Sequence, residues 1–182
     1  TAQRIPVANG FSIKDGESLW CNTFVLPDEK SLRLYKLHGS VTWYAYEHRV
    51  VDLRVGFGPR QVSTITGNLA ENMLIYPVMA KQTWLDPYVS LFVHFSDALR
   101  QARICVVIGF SYRDDALLSA MYQACAQNPA LRFVHCGMTR EQAAQDANLK
   151  ELLPKMSFLE KLYGEEGFVE ELGAALEKAL SY

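Results

Sequence analysis

Ile104-Cys105-Val106-Val107-Ile108 is apolar at every position. Such a run reads as a strand covered on both faces, the state of a strand in a parallel sheet. Parallel strands need crossover connections, most often helices, and helical patterns flank this run on both sides. Upstream, Asp86-Pro87 reads as a helix start, with Asp86 as N-cap and Pro87 at the first helical position. Tyr88, Leu91, Phe92, Phe95, Ala98, Leu99 and Ala102 then recur at helical spacing and make one apolar face. Downstream, a helix is predicted over about 114–127, stopped by Asn128-Pro129, and a strand over 131–135. Thr139-Arg140-Glu141-Gln142 has capping-box spacing for a helix running to about 152. A strand over 156–159 follows, then a terminal amphipathic helix marked by Phe168, Leu172, Ala175, Leu176 and Ala179. This alternation predicts an α/β fold: a Rossmann-like parallel sheet with flanking helices.

The N-terminal segment reads instead as rich in β-strand and loop. Extended runs are predicted over 21–26, 32–37, 41–46, 50–55 and 73–76. Gly56-Phe57-Gly58-Pro59 breaks the pattern, and 56–72 is polar and aperiodic, a loop or insertion. No other stretch has linker composition, so 1–182 reads as a single, partial domain. The opening Thr1-Ala2-Gln3-Arg4 lacks an initiating methionine, and the chain is expected to be part of a longer one.

Composition narrows the partners. An apolar share of 49% is that of a globular chain. A net charge of −2 gives no reason to expect nucleic-acid binding. Cys21, Cys105, Cys125 and Cys136 form no C-x-x-C pair, so the usual zinc knuckle is absent. Cys105 and Cys125 read as small core residues, and a reducing cytoplasm is expected. No apolar run reaches the roughly 20 residues of a membrane span, and no signal-peptide pattern opens the chain.

Two places invite chemistry. In an open parallel sheet, ligands bind beyond the carboxyl ends of the strands. Gly109-Phe110-Ser111 follows Ile108 and falls at such an end. Gly109 would let a ligand approach the backbone, and Ser111 would donate to a ribose or phosphate oxygen. The plainer reading is that any strand-to-helix turn favours Gly and Ser. The second place is Arg33-Leu34-Tyr35-Lys36-Leu37-His38-Gly39-Ser40-Val41-Thr42-Trp43, where an extended run delivers His38 to a Gly-Ser turn. Gly39 would clear space beside the imidazole, which could then serve as a general base. Against this, most histidines are surface or satisfied core residues, and His48, His94 and His135 read that way. Asp114 and Asp115 read as a helix cap with a dipole contact. Trp43 and Trp84 read as core or pocket wall.

Lys36-Leu37-His38-Gly39-Ser40-Val41-Thr42-Trp43 resembles the K-L-H-G-S-hydrophobic-x-W signature of sirtuin-like NAD-binding domains, in particular the divergent bacterial branch of antiphage defence proteins. Val106-Val107-Ile108-Gly109-Phe110-Ser111-Tyr112-Arg113-Asp114 resembles that branch's second motif, and Ile75-Tyr76-Pro77 and a Pro-started helix stand between the two in the family's order. The resemblance runs from about 33 to 116. It implies a Rossmann-like sheet with NAD across its edge. His38 would be the base toward a ribose hydroxyl, and Gly109, Phe110 and Ser111 would contact the adenosine half of NAD. The adenine contact after the last strand would fall near Leu162 or Tyr163. The expected outcome is NAD glycohydrolase activity, cleaving NAD to nicotinamide and ADP-ribose, in an antiphage defence effector.

The sirtuin zinc module has no counterpart, so no zinc is expected and the protein deacylase reading is weakened. The family's Gly-Ala-Gly loop and catalytic asparagine also have no counterpart; they would precede Thr1, with Asn9-Gly10-Phe11 a remnant of the loop that follows. The 182 residues alone are therefore expected to be inactive. NAD is expected as substrate, and a homo-oligomer or an assembly with a defence-system partner as the working form. The alternatives are a non-catalytic module that binds NAD or ADP-ribose or acts as a scaffold, and an NAD-dependent protein deacylase.

Overall fold

The structure is a computed structural model that describes residues 5–26, 31–46, 49–53, 71–74 and 86–181. Of the loop expected over 56–72, residues 56–70 lie outside those residues, as do the Ile75-Tyr76-Pro77 strand end, His48 and Trp84, while residues 71 and 72 begin a strand instead. The chain divides into two compact units, Thr1–Phe95 and Ser96–Tyr182. Together they make a mixed α/β protein: a strand-rich N-terminal part and a parallel sheet flanked by helices.

In the first unit, a short strand β1 (Val7–Ala8) leads into a hairpin of β2 (Gly10–Lys14) and β3 (Glu17–Thr23). Asp15 and Gly16 turn the hairpin at φ 52° and 83°, the left-handed pair that a two-residue turn requires. The strand expected over 32–37 shrinks to β4 (Leu32–Arg33), which pairs in parallel with β1. Leu32 and Leu34 are exposed, so their alternation marks no buried face. Strands β5 (Gly39–Tyr46), β6 (Arg49–Asp52) and β7 (Glu71–Leu74) complete an antiparallel sheet with the order β2-β3-β6-β5-β7 among the described residues. Its core is aromatic. Phe24, Trp43 and Leu91 are buried against Phe11, Trp20, Tyr35, Leu37 and Met73. Ring centroids of Phe11 and Trp43 stand 4.9 Å apart and those of Phe24 and Tyr35 5.0 Å. Each such pair adds about 0.5–1.5 kcal/mol beyond the area it buries. Trp43 Nε1 donates to Asp52 Oδ2 at 3.3 Å, which gives a carboxylate with only 1% exposure a donor inside that core.

Helix α1 (Tyr88–Gln101) begins one residue later than the Pro-first reading. The Pro87 carbonyl accepts from Leu91 N at 3.0 Å, and Asp86 Oδ1 accepts from Ser90 N at 3.3 Å, so Asp86 still caps the first turn.

The second unit holds β8 (Ile104–Ile108), β9 (Arg132–Cys136) and β10 (Met156–Leu159), paired in parallel in the order β10-β9-β8. Helix α2 (Asp115–Gln127) makes the first crossover, α3 (Arg140–Gln145) belongs to the second, and α4 (Phe168–Leu180) closes the unit. On one face of the sheet, Cys136 and Leu159 are buried with Phe168 and Leu172 of α4. Successive residues of a strand face opposite ways, so His135 lies on the other face, against Tyr112. The expectation that β8 is covered on both faces does not hold. Val106 is 38% and Ile108 47% exposed, while Val107 is buried. Among the described strands β8 is at the border of the sheet, and α4 lies more over β9 and β10.

The helix expected over 139–152 stops at Gln145. Thr139 and Gln142 do form the capping box. Asp146, however, takes an extended backbone and its carboxylate accepts from Asn148 N at 2.9 Å. That local bond competes with helix continuation, and two short 3-10 turns, Ala147–Leu149 and Leu153–Lys155, replace the rest. At the far end of the sheet, Arg103 Nη2 donates to the last helical carbonyl of α4, Leu180 O, at 3.3 Å. No helix among the described residues is long and apolar enough to cross a membrane.

The capping reading of Asp114 holds: its carboxylate accepts from Ala116 N at 3.1 Å and Leu117 N at 3.2 Å. Asp114→Ala is expected to cost about 1 kcal/mol, read as a lowered urea midpoint of the second unit.

Candidate functional site: the carboxyl edge of the parallel sheet

Because β8, β9 and β10 run parallel, their carboxyl ends open on one edge. Three loops stand there. Gly109-Phe110-Ser111-Tyr112 leaves β8, Gly137 leaves β9, and Leu162-Tyr163 follows β10. Gly109 has φ 68°, and a Cβ built on it would meet nothing within 4 Å. Ser111 beside it is exposed. Gly137 is the opposite case: at φ 85°, its Cβ would stand 2.6 Å from Leu162 Cδ2. Leu162 is laid over that glycine, and Tyr163, 76% exposed, meets Phe168 edge-on at 5.6 Å. The edge is thus open at Gly109 and closed at Gly137. Tyr163 and Leu162 give that edge an exposed aromatic and an exposed aliphatic surface.

The turn after β8 is held from below. Tyr112 adopts φ 57°, which for a residue with a side chain costs on the order of 1–3 kcal/mol. Its ring is fully buried, 4.9 Å from the Phe110 ring and 5.4 Å from the His135 imidazole. Its carbonyl accepts from Asn148 Nδ2 at 3.4 Å, and the Asn148 carbonyl accepts from the Tyr122 hydroxyl. His135 is itself buried, and its Nε2 lies 3.5 Å from Phe110 O. Tyr112 Oη and His135 Nδ1 are both buried with no hydrogen-bond partner. Burial pushes the Tyr112 phenol up and the His135 imidazole down from their ordinary values. Burial likewise raises the Cys105 thiol to about 11. Composition and periodicity do not single out Tyr112 or His135; the one available signal is an imidazole interrupting the apolar run Phe133-Val134-His135-Cys136.

His38 belongs to the first unit. It lies in a turn ahead of β5, closed by Gly39 N donating to Lys36 O at 2.9 Å. The residues that flank it tie the turn across its base. Lys36 Nζ donates to Ser40 Oγ at 3.1 Å, and Ser40 and Thr42 share a hydroxyl bond at 3.1 Å. The same ammonium sits 5.9 Å from the Trp43 ring centroid, within cation–π reach. The imidazole is half-buried, and its Nε2 is shielded from solvent. The expected role of Gly39 is corrected here. It does not clear room beside the histidine: a Cβ there would stand 1.9 Å from Met73 O. Gly39 has φ 77° and lets β7 come close.

The structure therefore brings Gly109, Phe110 and Ser111 to one sheet edge in the second unit and holds His38 in a braced turn in the first. His94 keeps the structural reading, bonded through Nε2 to Asn22 Oδ1 at 2.9 Å and stacked on Tyr35. Trp43 is core. Among the described residues no group of three or more His, Cys, Asp or Glu could hold a metal ion.

The two glycines should separate on substitution. Gly109→Ala, strained only by its φ, is expected to cost about 1–2 kcal/mol. Gly39→Ala meets the same strain plus a backbone oxygen and should cost more than Gly109→Ala in the same denaturant series. A pH prediction follows from His135. Its folded-state value is lowered from 6.5, so the folded state binds fewer protons than the unfolded one. The stability it contributes is present in full above pH 6.5 and is lost as pH falls through the lowered folded value. His135→Phe should flatten that part of the stability–pH curve.

Searches against protein-family models and against curated proteins find no match for this chain.

Proposed function

We propose that the chain is the C-terminal part of a sirtuin-like NAD glycohydrolase. The observation that carries the reading is the open turn at Gly109. It lies at the carboxyl end of a parallel strand, where nucleotides approach backbone in such sheets, and it leads into a helix whose N-terminus favours phosphate. The resemblance of both motifs, in order, supports it. Gly109 and Ser111 would meet the ribose and phosphate of the adenosine half, with Phe110 between them and Leu162 or Tyr163 near the adenine.

In the reaction, the bond between C1′ of the nicotinamide ribose and the ring nitrogen breaks. The bonding pair leaves with nicotinamide, whose positive charge it neutralises. Water adds to C1′ and loses a proton, giving ADP-ribose. His38 would take the proton of a ribose hydroxyl as charge develops at C1′, and the Lys36–Ser40–Thr42 bonds would hold the turn that presents it. The reading carries with it a cytoplasmic location, assembly with further copies or a defence partner, and a role in depleting NAD during infection.

A second reading, a module that binds NAD or ADP-ribose without turnover, is favoured by one observation. The open turn and its neighbouring loops all belong to Ser96–Tyr182, the unit that does not contain His38. The test is NAD consumption by the complete protein under activating conditions, with and without His38→Ala. Loss of a positioned base should slow hydrolysis by roughly 100-fold or more. Equal NAD loss in both would remove the assigned role of His38, and tight binding without turnover in the wild type would favour the second reading.

A further inference from the structure

Gly109 and Tyr112 are both left-handed, at φ 68° and 57°, and they bracket Phe110 and Ser111. Glycine adopts that conformation freely, and tyrosine does not. Something must hold Tyr112 there. Its ring is enclosed between Phe110 and His135, and its carbonyl is tied by Asn148. The Phe110 carbonyl, inside the turn, faces His135 Nε2 at 3.5 Å. A carbonyl can only accept, so Nε2 carries the proton and Nδ1 is left as the bare nitrogen. This tautomer agrees with the buried, unpartnered Nδ1, since an N–H there would have nothing to donate to.

We propose that His135, seated under Tyr112 and donating to the Phe110 carbonyl, is a positioning residue that sets the conformation of the Gly109–Ser111 turn for its ligand. The inference rests on the nucleotide-binding reading of that turn, and it concerns a residue that reading does not use. With the Phe110 carbonyl facing His135 and the Tyr112 carbonyl tied to Asn148, the turn leaves Gly109 open and Ser111 exposed. The phenol of Tyr112 has no part in this arrangement; its ring does.

The experiment compares His135→Phe, His135→Gln and Tyr112→Phe in the complete protein. One readout is amide hydrogen exchange across 109–113 against the rest of the second unit. The other is calorimetric binding of ADP-ribose. His135→Phe keeps an aromatic ring and loses the donor, so exchange in the turn should rise about tenfold while β9 and α2 stay protected, the effect of one net hydrogen bond. ADP-ribose affinity should fall by a similar factor. His135→Gln carries a donor near the Nε2 position and should restore most of both. Tyr112→Phe should change neither. If His135→Phe fails to fold, His135→Leu, smaller and equally without a donor, should loosen the same turn with the sheet still protected. Unchanged exchange in the turn, equal loss in Phe and Gln variants, or loss spread evenly over the unit would each overturn the proposal. A loosened turn in a protein whose wild type binds no ADP-ribose would keep His135 in its role and remove the nucleotide reading instead.

Discussion

Parallel strands cannot be joined by a tight turn, and the second unit follows from that. Each strand must cross back over the sheet before the next begins. Every strand therefore finishes on the same edge, and every loop that leaves a strand there is available to the same ligand. Residues distant in sequence, at the ends of β8, β9 and β10, are neighbours along one rim. The rim is uneven. It is bare at Gly109, roofed by Leu162 at Gly137, and flanked by an exposed tyrosine. Along that rim the backbone is open beside Gly109 and covered beside Gly137.

The first unit solves a different problem. An antiparallel sheet with an aromatic core must admit a turn that carries a half-buried imidazole, and it does so by tying the turn at its base. The lysine that bonds Ser40 is also held by the face of Trp43, which in turn is bonded to the buried Asp52. The turn is thereby linked through one side chain to the centre of the core. Loss of charge at Lys36 would be felt in the sheet as well as in the turn.

Much of the second unit is legible in the sequence because local signals there agree with one another. The Asp114 cap, the Thr139–Gln142 box, the Asn128-Pro129 stop and the terminal amphipathic helix all act over a few residues, and all are found. Failures arise where a distant residue decides. Gly39 and Gly109 look alike in the sequence and share a left-handed backbone, yet one is filled by the carbonyl of Met73 and the other is open. Only the fold distinguishes them. The apolar run of β8 suggests burial on both faces, but cover depends on what lies beside the strand, which the run does not encode. Asp15-Gly16 is the reverse: a local hairpin signal that periodicity passes over because the flanking strands alternate poorly. His135 looks ordinary because its significance lies in Tyr112 and Phe110, on a different loop.

Arg103 stands just ahead of β8, and its guanidinium reaches the last carbonyl of α4. A cation at a helix C-terminus is favoured by the helix dipole, but the bond has a topological result too. The chain enters the sheet and leaves the closing helix at nearly the same point. A body with adjoining entrance and exit can be carried inside a longer polypeptide, as an insert between other segments, with little disturbance to either side. The parallel sheet and its rim are, in that sense, portable: what joins them at front and back can change while the carboxyl edge is kept.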